Sequence, residues 1–221
     1  MNPIKLTLTI ITLSTLAFSG MAQPVEEPKG FTPEIKISSN LTTILPQVGM
    51  RLEDKGENIS SYIVDKISKG QIHLNNNINI DLCGETTYII GVGINQYKNG
   101  SNLQYAISDT EKIVNKVEEN CKKTQTYVLK NASKEKILQT LESISKKVSK
   151  KDSIVFNFSG HGIRYKNKDY LLTSQTNLNN ASSWKFSALT INAIEDTFKQ
   201  MPLKSAVLII DAQRVKAYGI K

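Results

Sequence analysis

Apolar positions along this chain change rhythm near residue 86. Before it, Ile72, Leu74, Ile78, Ile80 and Leu82 of "QIHLNNNINIDL" all fall on even positions. That alternation marks a half-buried strand, or a hairpin turning at Asn75 to Asn77. After it, short continuous apolar runs alternate with longer helical stripes. "TYIIGVG", "TYVL", "SIVFNF" and "SAVLIID" read as strands buried on both faces. Between them one helical pattern runs through Ile113, Val117 and Cys121, and a second through Ile137, Leu141, Ile144 and Val148. A third runs through Ile191, Ile194, Phe198 and Met201. Ser133 and Thr190 stand where the N-caps of the second and third helices belong. The sequence therefore predicts an α/β fold, a mostly parallel sheet covered by helices on both faces. No internal repeat is evident. From Pro33 to Asp81 the pattern is weaker, and "SSYIVDKISKG" suits either a short helix or a strand.

The first residues stand apart from this pattern. A short positive start precedes the 13-residue apolar run "LTLTIITLSTLAF", and Gly20 and Ala22 supply small residues after it. This reads as a secretory signal peptide over residues 1–22, cleaved after Ala22. The run is shorter than the roughly 20 residues of a membrane-spanning helix, so no stable membrane insertion is expected. Residues 23–85 read as a flexible leader followed by a small β-rich extension, and residues 86–221 as the main domain. The mature protein is expected to be secreted or periplasmic.

Composition narrows the picture only a little. With 39% hydrophobic and 22% charged residues, the chain supports an ordinary globular core. The formal charge of +8 favours acidic partners without specifying a fold. Lys146, Lys147, Lys150 and Lys151 lie at the end of a helix, where cations are mildly favourable. They lack the interleaved aromatic or base-reading side chains of a nucleic-acid site, and no nucleic-acid partner is expected. Cys83 and Cys121 are the two cysteines. Outside the cytosol they are able to pair, or they are two small buried residues. Neither has CxxC spacing, and no metal or cofactor is expected. His73 falls on the polar face of the alternating segment and reads as a surface residue.

Two stretches remain as candidates for chemistry. Gly91-Val92-Gly93 tempts a dinucleotide reading, but Gln96 stands where the third glycine is required, and a long loop intervenes before the helix. "FNFSGHGIRY" is more specific. It places His161 after a central strand, flanked by Gly160 and Gly162, in what reads as a turn where other chains can approach closely. A histidine there is placed for general acid or base work, and the neighbouring strand end is where a nucleophile belongs. In sheets of this type functional groups collect at the carboxyl ends of strands, after Gly93, Phe158 and Ile210.

The combination of "FNFSGHG" with the later "LIIDAQR", and of "YIIGVGINQYKNGSNLQYAISDTEKI" before them, resembles the caspase-like cysteine peptidases (peptidase C14), in particular their metacaspase and bacterial branch. The resemblance covers roughly Thr86 to Arg214. It implies a three-layer αβα sandwich, with His161 as the catalytic histidine and the main-chain amide near Gly162 in the oxyanion hole. Asp109, Ser159 and Asp211 match the pocket that takes a substrate Arg or Lys, where paired carboxylates favour a cation. Asp109 equally suits a helix N-terminal acid stabilised by the helix dipole. The family's nucleophile lies about 50 residues after its histidine, which lands on Gln213. A carboxamide has no ionisable nucleophile at neutral pH. The resemblance further implies two strands after the nucleophile, and these C-terminal strands are missing, which leaves the outer edge of the last strand open unless something covers it. The expectation is an exported, catalytically impaired homologue of a caspase-like endopeptidase that binds peptides or proteins with basic side chains. The alternatives are a working endopeptidase cleaving after basic residues, and a truncated remnant without function.

Overall fold

The computed structural model describes residues 34–38, 40–45, 59–74, 78–98, 102–177 and 184–215. The signal peptide expected over residues 1–22 and the leader that follows it lie outside the described residues. In chain order the elements are β1 (Glu34–Ser38), β2 (Leu41–Leu45), α1 (Ile59–Lys66), β3 (Ile67–Ser68), β4 (Gln71–Leu74), β5 (Ile78–Asp81), β6 (Thr87–Gly93) and α2 (Ala106–Asn120). There follow β7 (Thr124–Lys130), α3 (Lys134–Ser145), β8 (Ser153–Tyr165), β9 (Lys168–Leu171), α4 (Trp184–Ser187), β10 (Leu189–Thr190), α5 (Ile191–Gln200) and β11 (Ser205–Arg214).

Strand parity builds the layers. In the central strands, Tyr88, Ile90, Val92, Ile154, Phe156, Phe158, Leu208 and Ile210 occupy even positions. They pack with Ile137, Leu141 and Ile144 of α3 and with Ile194 and Phe198 of α5. The odd positions Ile89, Val155, Val207 and Ile209 meet Ile59 and Ile63 of α1 and Ile113, Val114 and Val117 of α2. Two cores on opposite faces of one sheet make the three layers, as the continuous apolar runs require. The helix starts follow from their caps: Ser133 Oγ accepts from the Lys136 amide, and Thr190 Oγ1 accepts from the Ala193 amide. Without a side-chain cap of its own, α2 is held at its start by Asn95 Oδ1, which accepts the Ile107 N–H at 3.0 Å.

The main sheet runs in the order β1-β2-β11-β8-β6-β7, with β9 paired to β8 and β10 to β9. Strands β2, β11, β8, β6 and β7 are parallel; β1, β9 and β10 join antiparallel. The outer side of β11 is covered by β2, with Ala206 opposite Leu41 and Ile209 opposite Ile44. The segment expected to be leader and extension thus divides. Its β1–β2 hairpin belongs to the main sheet, while β3, β4 and β5 form a small sheet of their own. In that small sheet β4 and β5 pair antiparallel, as the alternation around Asn75 to Asn77 predicts. "SSYIVDK" takes the helical alternative as α1. His73 is half-buried on the small sheet, its Nδ1 within 2.7 Å of Asn79 Oδ1. Cys83 and Cys121 form a disulfide, with Cα atoms 5.4 Å apart. Among the described residues no helix is long and apolar enough to cross a membrane.

Gly91 and Gly93 find their reason in packing. A Cβ on Gly91 would stand 2.7 Å from methyl groups of Thr110 and Val114, and one on Gly93 would stand 2.6 Å from the Ile107 Cα. These glycines let the first turns of α2 lie directly on β6. They serve helix–sheet contact.

Candidate active site

The C-terminal half of β11 lies in register beside β8. Ser159 stands opposite Asp211, Gly160 opposite Ala212, His161 opposite Gln213, and Gly162 opposite Arg214. Paired residues on adjacent strands are about 4.8 Å apart, so the histidine and the carboxamide are neighbours, as the spacing between their motifs predicts.

The setting of His161 differs from the sequence expectation. β8 does not end at Phe158; it continues through the glycines to Tyr165, because both of its sides are paired there. On one side β11 runs alongside, with the Val215 amide donating to the Gly162 carbonyl at 3.0 Å. On the other, β9 pairs antiparallel and the Leu172 amide donates to the His161 carbonyl at 2.9 Å. Gly162 and its neighbours are thereby rungs of a three-strand ladder and not an open turn. No positive φ is needed at Gly160 or Gly162, since among the described glycines only Gly70 adopts one. What these glycines provide is room. A Cβ on Gly160 would stand 2.8 Å from the Tyr97 hydroxyl, and one on Gly162 would stand 3.1 Å from the Ala212 Cβ.

His161 is only 2% exposed. Its ring lies 4.7 Å from that of Tyr97, tilted by 36°, and its main-chain N–H donates to the Tyr97 hydroxyl at 2.7 Å. Tyr97 sits in the loop between β6 and α2, and that loop is firmly tied. Asn131 Oδ1 accepts the amides of Asn95 and Gln96, Asn102 Oδ1 accepts the amide of Tyr97, and the Lys98 amide donates to the Ser174 carbonyl. The imidazole is therefore held under an aromatic cover and does not stand in an open cleft.

Of the three residues expected to line a pocket, Ser159 and Asp211 stand opposite each other on β8 and β11. Ser159 is buried, and its carbonyl accepts the Ile94 amide at 3.0 Å. Asp109, in the first turn of α2, is buried and pairs with Lys112 at 2.9 Å. This satisfies the helix-terminal reading of that acid. Asp211 is 5% exposed and already engaged: Ser60 at the start of α1 donates to its Oδ2 through both Oγ, at 2.7 Å, and its amide, at 3.2 Å. Burial pushes the Asp211 carboxyl above the usual carboxylate range. The Ser60 donors oppose that rise, and the charge of Asp109 adds to it.

A raised value means that the folded protein holds this proton more tightly than the unfolded chain does. The resulting stabilisation is complete below the ordinary value of 3.8 and is lost as pH rises through the folded-state value. Asp211→Asn keeps an oxygen for Ser60 and stays neutral at every pH. Its Tm is expected to exceed that of the parent by a few degrees at pH 7, with ~1 kcal/mol worth about 2–4 °C at this size. The gain should vanish below pH 3.8. A variant less stable than the parent at pH 7 would show the carboxylate to be a net stabiliser.

Sequence reasoning missed Tyr97 and Ser60. Tyr97 lies within the quoted stretch "YIIGVGINQYKNG", four residues past the first strand, but nothing local says that it reaches His161. Ser60 sits in the weakly patterned segment and carries no signal. A hollow lined by Leu45, Gly162, Tyr170, Ile191, Ile210 and Ala212 among others opens on the α5 side of the sheet. The two acids lie on the α1–α2 side, so hollow and acids are separated by the sheet itself.

An αβα sandwich whose central parallel strand brings a histidine beside the tip of its neighbour defines the class. The family model of the caspase domain, peptidase C14, matches residues 88–220, and the chain belongs to that family. Among solved structures it is similar to protein GSU0716 of Geobacter sulfurreducens, at 12% identity and a TM-score of 0.44. That match covers 57% of this chain and 48% of the other. It is also similar to the Drosophila initiator caspase Dronc, at 13% identity and a TM-score of 0.41, covering 82% of this chain and 63% of the other. The chain thus spans less than two thirds of the length of either. No curated protein sequence matches it.

Proposed function

We propose that this protein is a caspase-fold homologue of the metacaspase-like branch that has lost peptidase chemistry and acts by binding polypeptide segments with basic side chains, outside the cytosol. The observation that carries this reading is the fate of the thiols. The chain has two cysteines, both are bound in the Cys83–Cys121 disulfide, and the residue in register with His161 is Gln213. A cysteine peptidase attacks the scissile carbonyl with a thiolate and passes through a thioester. A carboxamide cannot be deprotonated to a nucleophile at neutral pH, so His161 has no acyl acceptor to activate. The presence of Asp109 and Asp211 supports a preference for Lys or Arg, since paired carboxylates favour a cation. Ser60 occupies part of Asp211, which favours weak binding. The disulfide fits an oxidising compartment, in keeping with the expected signal peptide.

The test is hydrolysis of a fluorogenic peptide with Arg before the scissile bond. The parent protein is expected to give only the buffer rate, since removing the nucleophile from a peptidase that works by covalent catalysis costs about 10⁶-fold in kcat. Gln213→Cys, which returns a thiol beside His161, is expected to give measurable turnover that His161→Ala abolishes. Turnover by the parent protein that disappears in His161→Ala would overturn the proposal in favour of a working endopeptidase.

A further inference from the structure

We infer that Tyr97 is the positioning residue of His161, holding its main chain through the phenolic oxygen and its imidazole through the ring. This rests on the reading of His161 as the functional group of the site, but the hold itself is independent of any reaction.

Several separate observations converge on it. The Tyr97 hydroxyl accepts the His161 N–H at 2.7 Å and donates its own proton to the Ile94 carbonyl at 3.3 Å. Both roles of the hydroxyl are therefore assigned, and its orientation is fixed. Burial pushes the phenol well above its ordinary range, against a smaller opposing pull from the His161 N–H, so the hydroxyl keeps its proton. The ring lies 4.7 Å from the imidazole, within the span of paired aromatic rings. Gly160 is shaped to the same end, because any side chain there would stand 2.8 Å from the Tyr97 oxygen. The first glycine of the Gly-His-Gly motif is thus explained by a residue more than sixty positions earlier. The loop that carries Tyr97 is tied to Asn131, Asn102 and Ser174, and a support must itself be held if it is to hold something else.

Tyr97→Phe keeps the ring and removes only the oxygen. Amide hydrogen exchange at His161 is expected to speed up about tenfold, the factor that one lost hydrogen bond of ordinary strength supplies. Val155 and Phe158 on the same strand should not change. The chain has two histidines, so histidine-labelled spectra provide an internal control. The imidazole signal of His161 should shift, and that of His73 should stay in place. Gly160→Ala, which leaves Tyr97 intact but displaces it, is expected to give the same signature and serves if the first variant folds poorly. In a Gln213→Cys background, Tyr97→Phe should lower kcat about tenfold with KM within about twofold. If Gln213→Cys alone shows no turnover, the peptidase-derived reading fails while exchange still decides the role of Tyr97. Uniform acceleration of all β8 amides, or an unmoved His161 signal, would reduce Tyr97 to general packing and overturn the inference.

Discussion

Reducing the Cys83–Cys121 disulfide is expected to lower the thermal midpoint by about 10 °C. The bond closes a loop of 38 residues, and loop-closure entropy for that length amounts to roughly 3–4 kcal/mol; at this chain size each ~1 kcal/mol moves Tm by about 2–4 °C. Its position gives the number a structural meaning. Cys83 follows β5 and precedes β6, and Cys121 is the C-cap of α2, so the bond ties the link between the two sheets to the end of α2. Ile72, Leu82, Ile113 and Val117 share one core, so the reduced protein is expected to remain folded. Melting with and without dithiothreitol, repeated on a Cys83→Ser/Cys121→Ser double variant, provides the check. Equal midpoints would show that the unfolded chain already holds these residues together.

Trp184→Ala is expected to cost about 3–5 kcal/mol in urea denaturation, the range for truncating a buried aromatic. Trp184 is fully buried. It receives Tyr165 and Tyr170 edge-on, at 5.7 and 4.9 Å with interplanar angles of 88°. Those tyrosines lie on the two strands of the β8–β9 hairpin, so the indole clamps the strand that supports the site from one side. Trp184→Phe should cost far less than the alanine variant. Among the described residues the indole N–H has no hydrogen-bond partner, and phenylalanine removes that buried donor while keeping most of the apolar area. Equal losses in both variants would mean that the indole nitrogen has a role of its own. Exchange at the β9 amides would follow the alanine variant alone.

How far the sequence could be read depended on where the determining contacts lie. Local periodicity was enough for α3 and α5, whose stripes and caps at Ser133 and Thr190 stand within a few residues of one another. It was enough for the central strands too, because burial on both faces leaves an uninterrupted apolar run. It failed at the end of β8. Ser159, Gly160 and Gly162 offer no apolar side chains, and the chain reads as a turn. The strand persists there because backbone pairing arrives from β9 on one side and β11 on the other. It failed again at Leu41–Leu45, a strand buried along its whole length whose central-sheet neighbour is distant in sequence. Of the candidate site, the pairing of His161 with Gln213 was legible because two motifs at a known separation fix neighbouring strands. The register of Ser159 with Asp211 followed from the same frame. The Ser60 contact to Asp211 and the Tyr97 cover were not legible, since each depends on where a loop or short helix returns in space. The cysteine pairing stayed open because separation along the chain does not decide it; proximity of the Cα atoms does.

The seam between β2 and β11 bears on how this molecule comes into being. Asn40, beside β2, donates to the carbonyl of Leu203, 163 residues away, and the ladder between the two strands continues from there. Links of such span form late and slowly, so during synthesis on the ribosome the nascent polypeptide must carry an unfinished sheet until β11 has emerged. The strand that sets Gln213 beside His161 is also the one that locks the earliest described hairpin into place. Pairing of the β1–β2 hairpin with the main sheet and the placing of Gln213 beside His161 thus both wait for β11.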